Sequence, residues 1–155
     1  SIESALIGVD AIVSVLGSKP GSGPHDLLTR GTQNIIDAAI AQGVRRLVVV
    51  TGMGAGDSRG HGGFFCDRVL LPLLLKDVYA DKDRQEEAVR ASHLDWTIVR
   101  PGFLTNGVHT GVYRAIGDLA EGTRLRKISR ADVADYLLDA ASTGRDRLGT
   151  VHLTY

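Results

Sequence analysis

Leu94-Asp95-Trp96-Thr97-Ile98-Val99-Arg100-Pro101-Gly102 follows a charged segment that begins at Lys82, and its reading decides the fold. Trp96 to Val99 is a compact apolar run, as expected of a strand covered on both faces, and Arg100-Pro101-Gly102 is expected to stop it. Ligands of open α/β sheets bind just outside the carboxyl ends of the strands, so chemistry is expected at this stop. Outward from it, helical and strand patterns alternate, which is the mark of a parallel α/β sheet with helices on both faces.

Toward the amino end, Ser1 to Ile7 reads as the tail of a helix closed by Gly8, and Ala11 to Leu16 as a first buried strand. Gly17 to Pro24 is a loop. A helix is expected from Asp26 to Gln42, with Leu28, Ile35, Ile36, Ala39 and Ile40 at helical spacing and Gly43 as its stop. Leu47 to Val50 is the second strand. Thr51 to Gly63 holds six glycines, too many for a regular element. Helices are then expected from Phe64 to Tyr79 and from Asp81 to Ser92. Beyond the opening stretch, Gly102 to Thr123 reads as irregular and Ile128 as the end of a short strand. Ser129-Arg130-Ala131-Asp132 reads as a capping box in which serine and aspartate both satisfy free N–H groups. Its helix runs to about Ala141, and Thr150 to Thr154 forms a last strand.

The chain has 155 residues, the size of one domain. Eighteen basic residues against eighteen acidic ones argue against nucleic acid or an anionic membrane surface as an electrostatic partner. No apolar run approaches the roughly 20 residues of a membrane span, and the longest, Val69 to Leu75, is broken by Pro72. The single cysteine, Cys66, points to a reducing compartment, hence the cytoplasm. His25, His61, His93, His109 and His152 lack metal-ligand spacing, so no metal is expected.

The first three strands each end in a loop-forming segment: Gly17-Ser18, Thr51-Gly52-Met53 and Pro101-Gly102. If those strands lie parallel, their ends share one rim, where small residues let backbone approach a flat ligand. Gly52-Met53-Gly54-Ala55-Gly56 has the wrong spacing for a phosphate loop and is read as a mobile loop on the substrate side. Tyr79 and Lys82, three apart, share a helical face, and a neighbouring lysine can lower a phenol pKa from about 10. The simpler reading of Asp81, Lys82, Asp83, Arg84, Glu86 and Glu87 is a solvated charged face. Arg100 is expected to anchor loop carbonyls, Trp96 to lie in the core, and Arg124, Arg126 and Lys127 to form a solvated basic turn.

The chain resembles atypical short-chain dehydrogenase/reductases of the NAD(P)H-binding group, close to NmrA-like proteins and flavin/biliverdin reductases. The resemblance rests on Gly8-Val9-Asp10-Ala11 leading to Leu16-Gly17, and on Gly43-Val44-Arg45-Arg46-Leu47 leading to Val50-Thr51-Gly52. Leu94 to Gly102 and Ile128-Ser129-Arg130-Ala131-Asp132-Val133-Ala134 complete it. It implies a Rossmann-type parallel sheet binding NADP or NAD, with NADP ahead, and hydride transfer to a small-molecule acceptor of flavin, quinone or carbonyl type. Leu16, Gly17 and Ser18 would then lie along the cofactor, with Thr51, Gly52 and Met53 near the nicotinamide. Lys82 would bind the nicotinamide ribose, and Pro101, Gly102, Phe103 and Leu104 would flank the ring and the acceptor. Thr51, Tyr79 and Lys82 would be the catalytic set.

Three departures accompany the resemblance. The family's Tyr-x-x-x-Lys becomes Tyr79-Ala80-Asp81-Lys82, and Gly52 stands where a hydroxyl is common, so a dinucleotide sensor without catalysis is the alternative. The family also begins with strand–glycine loop–helix units, on the order of 60 residues, before its fourth strand. The chain is therefore expected to be the C-terminal portion of a doubly wound domain, with the first strand as an exposed edge and weak dinucleotide binding by itself.

Overall fold

The structure, a computed structural model, describes residues 1–18, 26–61 and 76–155. The remainder of the Gly17–Pro24 loop, His25, Cys66, Pro72 and most of the expected Phe64–Tyr79 helix lie outside the described residues. In chain order the elements are α1 (Ile2–Ala5), β1 (Ala11–Ser14), α2 (Leu27–Gln42), β2 (Arg46–Val50), α3 (Lys76–Ala91), β3 (Asp95–Pro101) and β4 (Phe103–Thr105). Then come β5 (Arg114–Ile116), β6 (Lys127–Ser129), α4 (Arg130–Thr143) and β7 (Gly149–Thr154). Five strands form one sheet in the order β1-β2-β3-β7-β5, parallel except for the antiparallel edge strand β5, while β4 and β6 pair separately.

Strand alternation assigns side chains to two faces. Leu47 and Val49 of β2 and Ile98 of β3 pack with Ile36 and Ala39 of α2 and Val89 of α3. Val48, Val99, Val151 and Leu153 point the other way, onto Val133, Tyr136, Leu137 and Ala140 of α4. Full burial of each such side chain contributes about 1.5–3 kcal/mol, so these two layers hold the sheet. Parity also fixes the polar residues. Arg46 lies on the α4 face, and Thr51, Arg100 and His152 lie on the α3 face. Helix α2 stops at Gly43, whose φ of 72° is left-handed and whose N–H reaches the carbonyls of Ala39 and Ile40.

Several expectations need correction. Strand β1 ends at Ser14 rather than Leu16, because its ladder covers only Ala11↔Arg46 to Ser14↔Val49. It is the expected edge strand, but of its residues only Ser14 is buried, and Val15 leaves the sheet 67% exposed. Strand β3 does not stop at Val99. Arg100 and Pro101 pair with His152 and Leu153, and Pro101 contributes its carbonyl, which accepts from the Met53 N–H at 3.1 Å, so its missing N–H breaks no bond there. No break separates Tyr79 from Asp81, since α3 is continuous across them. The region from Gly102 to Thr123 contains β4 and β5. Ser129 caps α4 as expected, accepting from the Asp132 N–H at 3.0 Å. The Asp132 carboxylate, fully buried, does not take the Ser129 N–H of a capping box; it accepts from the Ser129 hydroxyl, the Thr110 and Gly111 N–H groups and the Tyr155 hydroxyl. Those donors hold it well below the usual carboxylate range against the opposing effect of burial.

Candidate functional site at the strand ends

Strands β1, β2 and β3 are parallel neighbours, so their carboxyl ends open on one rim. The chain leaves them through Leu16-Gly17-Ser18, Thr51-Gly52-Met53 and Gly102-Phe103-Leu104. The last two are knit together: the Thr51 N–H donates to Val99 O at 2.9 Å and the Met53 N–H to Pro101 O at 3.1 Å. Leu16 leans on α2, where a Cβ at Gly31 would stand 2.8 Å from its Cδ1. At Gly17 an added Cβ would meet nothing within 4 Å, which leaves open space along that side of the rim. Phe103 and Leu104 expose 45% and 42% of their surface on the other side. Pro101 and Gly102 are buried, and a Cβ at Gly102 would fall 1.8 Å from Arg126 O, so only glycine admits this turn.

A stretch of α3 braces the ends of β2 and β3 and the start of α2. The Asp81 carboxylate accepts from the N–H groups of Leu28 and Thr29 at 2.8 and 3.2 Å, capping α2, whose own Asp26 makes no side-chain cap. Lys82 Nζ donates to Thr51 O at 2.7 Å. Asp83 accepts from the Gly56 N–H at 2.8 Å and pairs with Arg59. Glu86 accepts from the Thr51 hydroxyl at 2.7 Å and from Arg100 Nε and Nη2 at 2.9 and 2.7 Å, a two-pronged ion pair between side chains that are each 1% exposed. Arg100 also reaches Asp57 and His152 Nε2.

His152 completes the chain of contacts. Its Nδ1 lies 3.1 Å from Ile116 O, which can only accept, and its Nε2 faces Arg100, which can only donate. Only the neutral Nδ1–H tautomer satisfies both. Burial pushes the His152 pKa down, and the Arg100 charge adds to the effect. Burial raises the Glu86 carboxyl, but hydrogen bonds and charge from Arg100, with help from Thr51 and Arg90, hold it below its ordinary value. The Lys82 ammonium is lowered by burial, against the opposing charges of Glu86 and Asp81.

Of the residues singled out in the sequence, Thr51, Gly52, Tyr79 and Lys82 come together. A Cβ on Gly52 would lie 3.5 Å from the Tyr79 hydroxyl oxygen, and Lys82 sits one turn on from Tyr79. The Thr51 hydroxyl is turned inward to Glu86. Met53 is 5% exposed and packs on Leu125 and Leu119 rather than facing the open rim. The Gly52–Gly56 segment is not a loose loop. Ala55 and Ser58 are buried, and Ser58 Oγ accepts from the Gly54 N–H and donates to Ala55 O at 2.8 and 2.7 Å. Arg100 anchors carboxylates rather than carbonyls, and the charged face of α3 is solvated only in part, since Asp81 and Glu86 are buried.

The sequence reading missed Asp57, Asp81, Asp83, Glu86 and His152. One signal was present: Asp81, Gln85 and Val89 recur every four residues, and all three are buried on one stripe of α3. At this rim Leu16, Phe103 and Leu104 leave apolar surface exposed, and Tyr79 and Lys82 are half-buried.

Comparison with known proteins agrees with this geometry. A family model described as NAD(P)H-binding matches residues 1–143. A Bacillus subtilis (strain 168) protein called an uncharacterized sugar epimerase, YhfK, is 35% identical over 136 residues, covering 86% of this chain and 57% of the relative. ChuY, an anaerobilin reductase from Escherichia coli O157:H7, superposes with a TM-score of 0.75 at 23% identity, over 99% of this chain and 68% of that one. A short-chain dehydrogenase/reductase from Veillonella parvula DSM 2008, solved with NADP, gives a TM-score of 0.75 at 18% identity, over 99% of this chain and 66% of its own. Both structural likenesses show the Rossmann-like fold alone. The chain spans 57% and 59% of the length of two curated relatives. With its parallel sheet, its shared rim and a family match over all but its last twelve residues, the chain belongs to the NAD(P)H-binding family.

Proposed function

We propose that this rim is the nicotinamide side of an NAD(P)H-dependent oxidoreductase site, which passes hydride to a small organic acceptor of flavin, quinone or carbonyl type. The observation that carries this reading is the seating of Lys82 on the Thr51 carbonyl at 2.7 Å, with the Tyr79 hydroxyl against Gly52, at the ends of parallel strands. A bound dihydronicotinamide supplies the hydride. Lys82 orients the ribose, and Leu16, Gly17 and Ser18 receive the rest of the dinucleotide. Phe103 and Leu104 wall off the acceptor side. Thr51 acts by holding its strand end in place, because its hydroxyl is committed to Glu86. A carbonyl acceptor also needs a proton, and the donor in this reading is Tyr79, one helical turn from Lys82. The single cysteine fits a reducing compartment, and we place the protein in the cytoplasm.

Stopped-flow mixing of the full-length protein with NADPH and a flavin or quinone tests this directly. Acceptor-dependent NADPH oxidation is expected, and its absence across both acceptor types would remove the reading. The engagement of the Thr51 hydroxyl at the end of β2 by Glu86 favours one alternative, a dinucleotide sensor without turnover. Calorimetric binding of both NADPH and NADP with no acceptor turnover would select it, whereas loss of activity in Tyr79→Phe would exclude it.

A further inference from the structure

Three arginines gather beside this rim without a carboxylate among them. Arg114, Gly122, Thr123, Arg124, Arg126 and Tyr155 line an open groove of about 520 Å³. The arrangement follows from the chain itself. In Arg124-Leu125-Arg126, Leu125 is 3% exposed and packs inward on Met53, which sends its two neighbours outward. Arg114 joins them through register: it stands opposite Thr154 in the β5–β7 ladder, and the Thr154 hydroxyl accepts from the Arg126 N–H at 2.7 Å. Among the described residues seven arginines are ion-paired, and these three are not; unlike Arg46 and Arg130, which also lack an ion pair, their guanidinium groups do not donate to any protein oxygen among the described residues. In a chain of zero net charge, that is a local excess of cations with no internal use.

The groove adjoins the candidate site. Arg126 O accepts from the Phe103 N–H at 3.0 Å and lies against Gly102, and Leu125 touches Met53 at the end of β2. A ligand seated against Phe103 would therefore have this arginine-lined groove beside it. Guanidinium forks match oxyanions in two-pronged geometry and keep their charge at any physiological pH.

We propose that Arg114, Arg124 and Arg126 form an oxyanion-recognition site for the acceptor, so that the preferred acceptor is a flat molecule carrying a phosphate or carboxylate group. This rests on the oxidoreductase reading for what the anion belongs to, but the groove's binding can be measured without turnover.

The test is an amide NMR titration of the protein with flavin mononucleotide and with riboflavin, which differ by one phosphate, followed by pyrophosphate and by citrate. Saturable shifts at residues 122–127 are expected with flavin mononucleotide. Its affinity is expected to exceed that of riboflavin by about tenfold at low salt and to converge on it at high salt. Arg124→Gln/Arg126→Gln should erase the difference, and Arg45→Gln on the opposite rim should not. Pyrophosphate shifting those amides alone assigns the site to phosphate, and citrate alone assigns it to carboxylate. Equal affinity for the two flavins together with no saturable shift from either anion would overturn the proposal. NADPH shifts at residues 16–18 and 51–53 report separately on the dinucleotide site. Shifts there with none at 122–127 would sink this inference and leave the oxidoreductase reading standing; anion binding at 122–127 with no NADPH response would do the reverse.

Discussion

Two buried arginines sit at opposite ends of the same sheet and are held in opposite ways. Arg46, at the start of β2, is 6% exposed and spends its donors on neutral oxygens: the carbonyls of Asp95, Ala140 and Arg145 and the hydroxyl of Thr97. It closes the C-terminal end of α4 onto the strand starts. Arg100, at the end of β3, is 1% exposed and is held by the carboxylates of Glu86 and Asp57. Burial lowers the pKa of Arg46, whereas for Arg100 the two carboxylates outweigh burial and raise it. The amino-end rim is thus a clamp with no charge partner inside, and the carboxyl-end rim is a charged network that joins Thr51 and Asp57 to the end of β3. Structure alone explains the first. The second also braces the rim at which the dinucleotide is proposed to bind.

The largest effect is expected from Glu86→Ala. It strands the Arg100 guanidinium in the interior and should cost about 3–5 kcal/mol in urea unfolding followed by the fluorescence of Trp96, the single tryptophan. The paired replacement Glu86→Leu/Arg100→Met should recover most of that, because a buried ion pair is often no more stable than a packed apolar pair. NADPH affinity should stay low in the double variant, since Thr51 and the Gly52–Gly56 turn lose their anchor. Recovery of both properties together would show that the carboxyl-end network is only a clamp like its counterpart.

Arg46→Met comes next. It leaves buried carbonyls without donors and should cost about 2–3 kcal/mol, with NADPH binding unchanged at temperatures where the protein stays folded. A parallel fall in dinucleotide affinity would erase the proposed contrast between the rims.

The sequence announced the first end of this comparison poorly and the second only in outline. Alternating apolar runs gave the sheet, because Leu47-Val48-Val49 and Ile98-Val99 have no other way to bury their side chains. Gly43 and Ser129 gave their helix ends through local backbone chemistry. Nothing local joins Glu86 to Arg100 or Arg46 to Ala140, which are 14 and 94 residues apart. A charged side chain on a helix is solvated by default, and only tertiary packing against β3 makes Glu86 an interior residue. Pro101 misled for a related reason: a proline reads as a strand stop unless the strand pairing needs only its carbonyl. The irregular reading of Gly102–Thr123 failed because β4 and β5 are three residues each and carry no period of their own.

pH should separate the rims further, with a smaller effect. His152 has a folded pKa below its unfolded value of about 6.5, so its contribution is complete above that pH and is lost as pH falls through the folded value. Glu86 is also depressed, so its contribution is complete above about pH 4.3 and is lost further into acid. Charges facing His152 come from Arg100 and Asp57. Urea midpoints should therefore fall in two steps on acidification, and His152→Gln should remove the first and leave the second. A single step near pH 4 in the wild type would mean that the neutral His152 contact with Arg100 adds nothing.

The smallest expected change in stability and the most specific change in binding belong to Lys82→Met. Lys82 is half-buried, and its stem can be matched by methionine, so the loss of one donor to Thr51 O should shift unfolding by only about 0.5–1.5 kcal/mol. If Lys82 also meets the dinucleotide ribose, NADPH affinity should fall about tenfold, as for the loss of a charge-assisted hydrogen bond. The Arg46 rim offers no such separation, because its donors meet only protein oxygens. Equal NADPH affinity in Lys82→Met and wild type would mean that the lysine braces the carboxyl-end rim as Arg46 braces the amino-end one, and the contrast between them would rest on Glu86 and His152 alone.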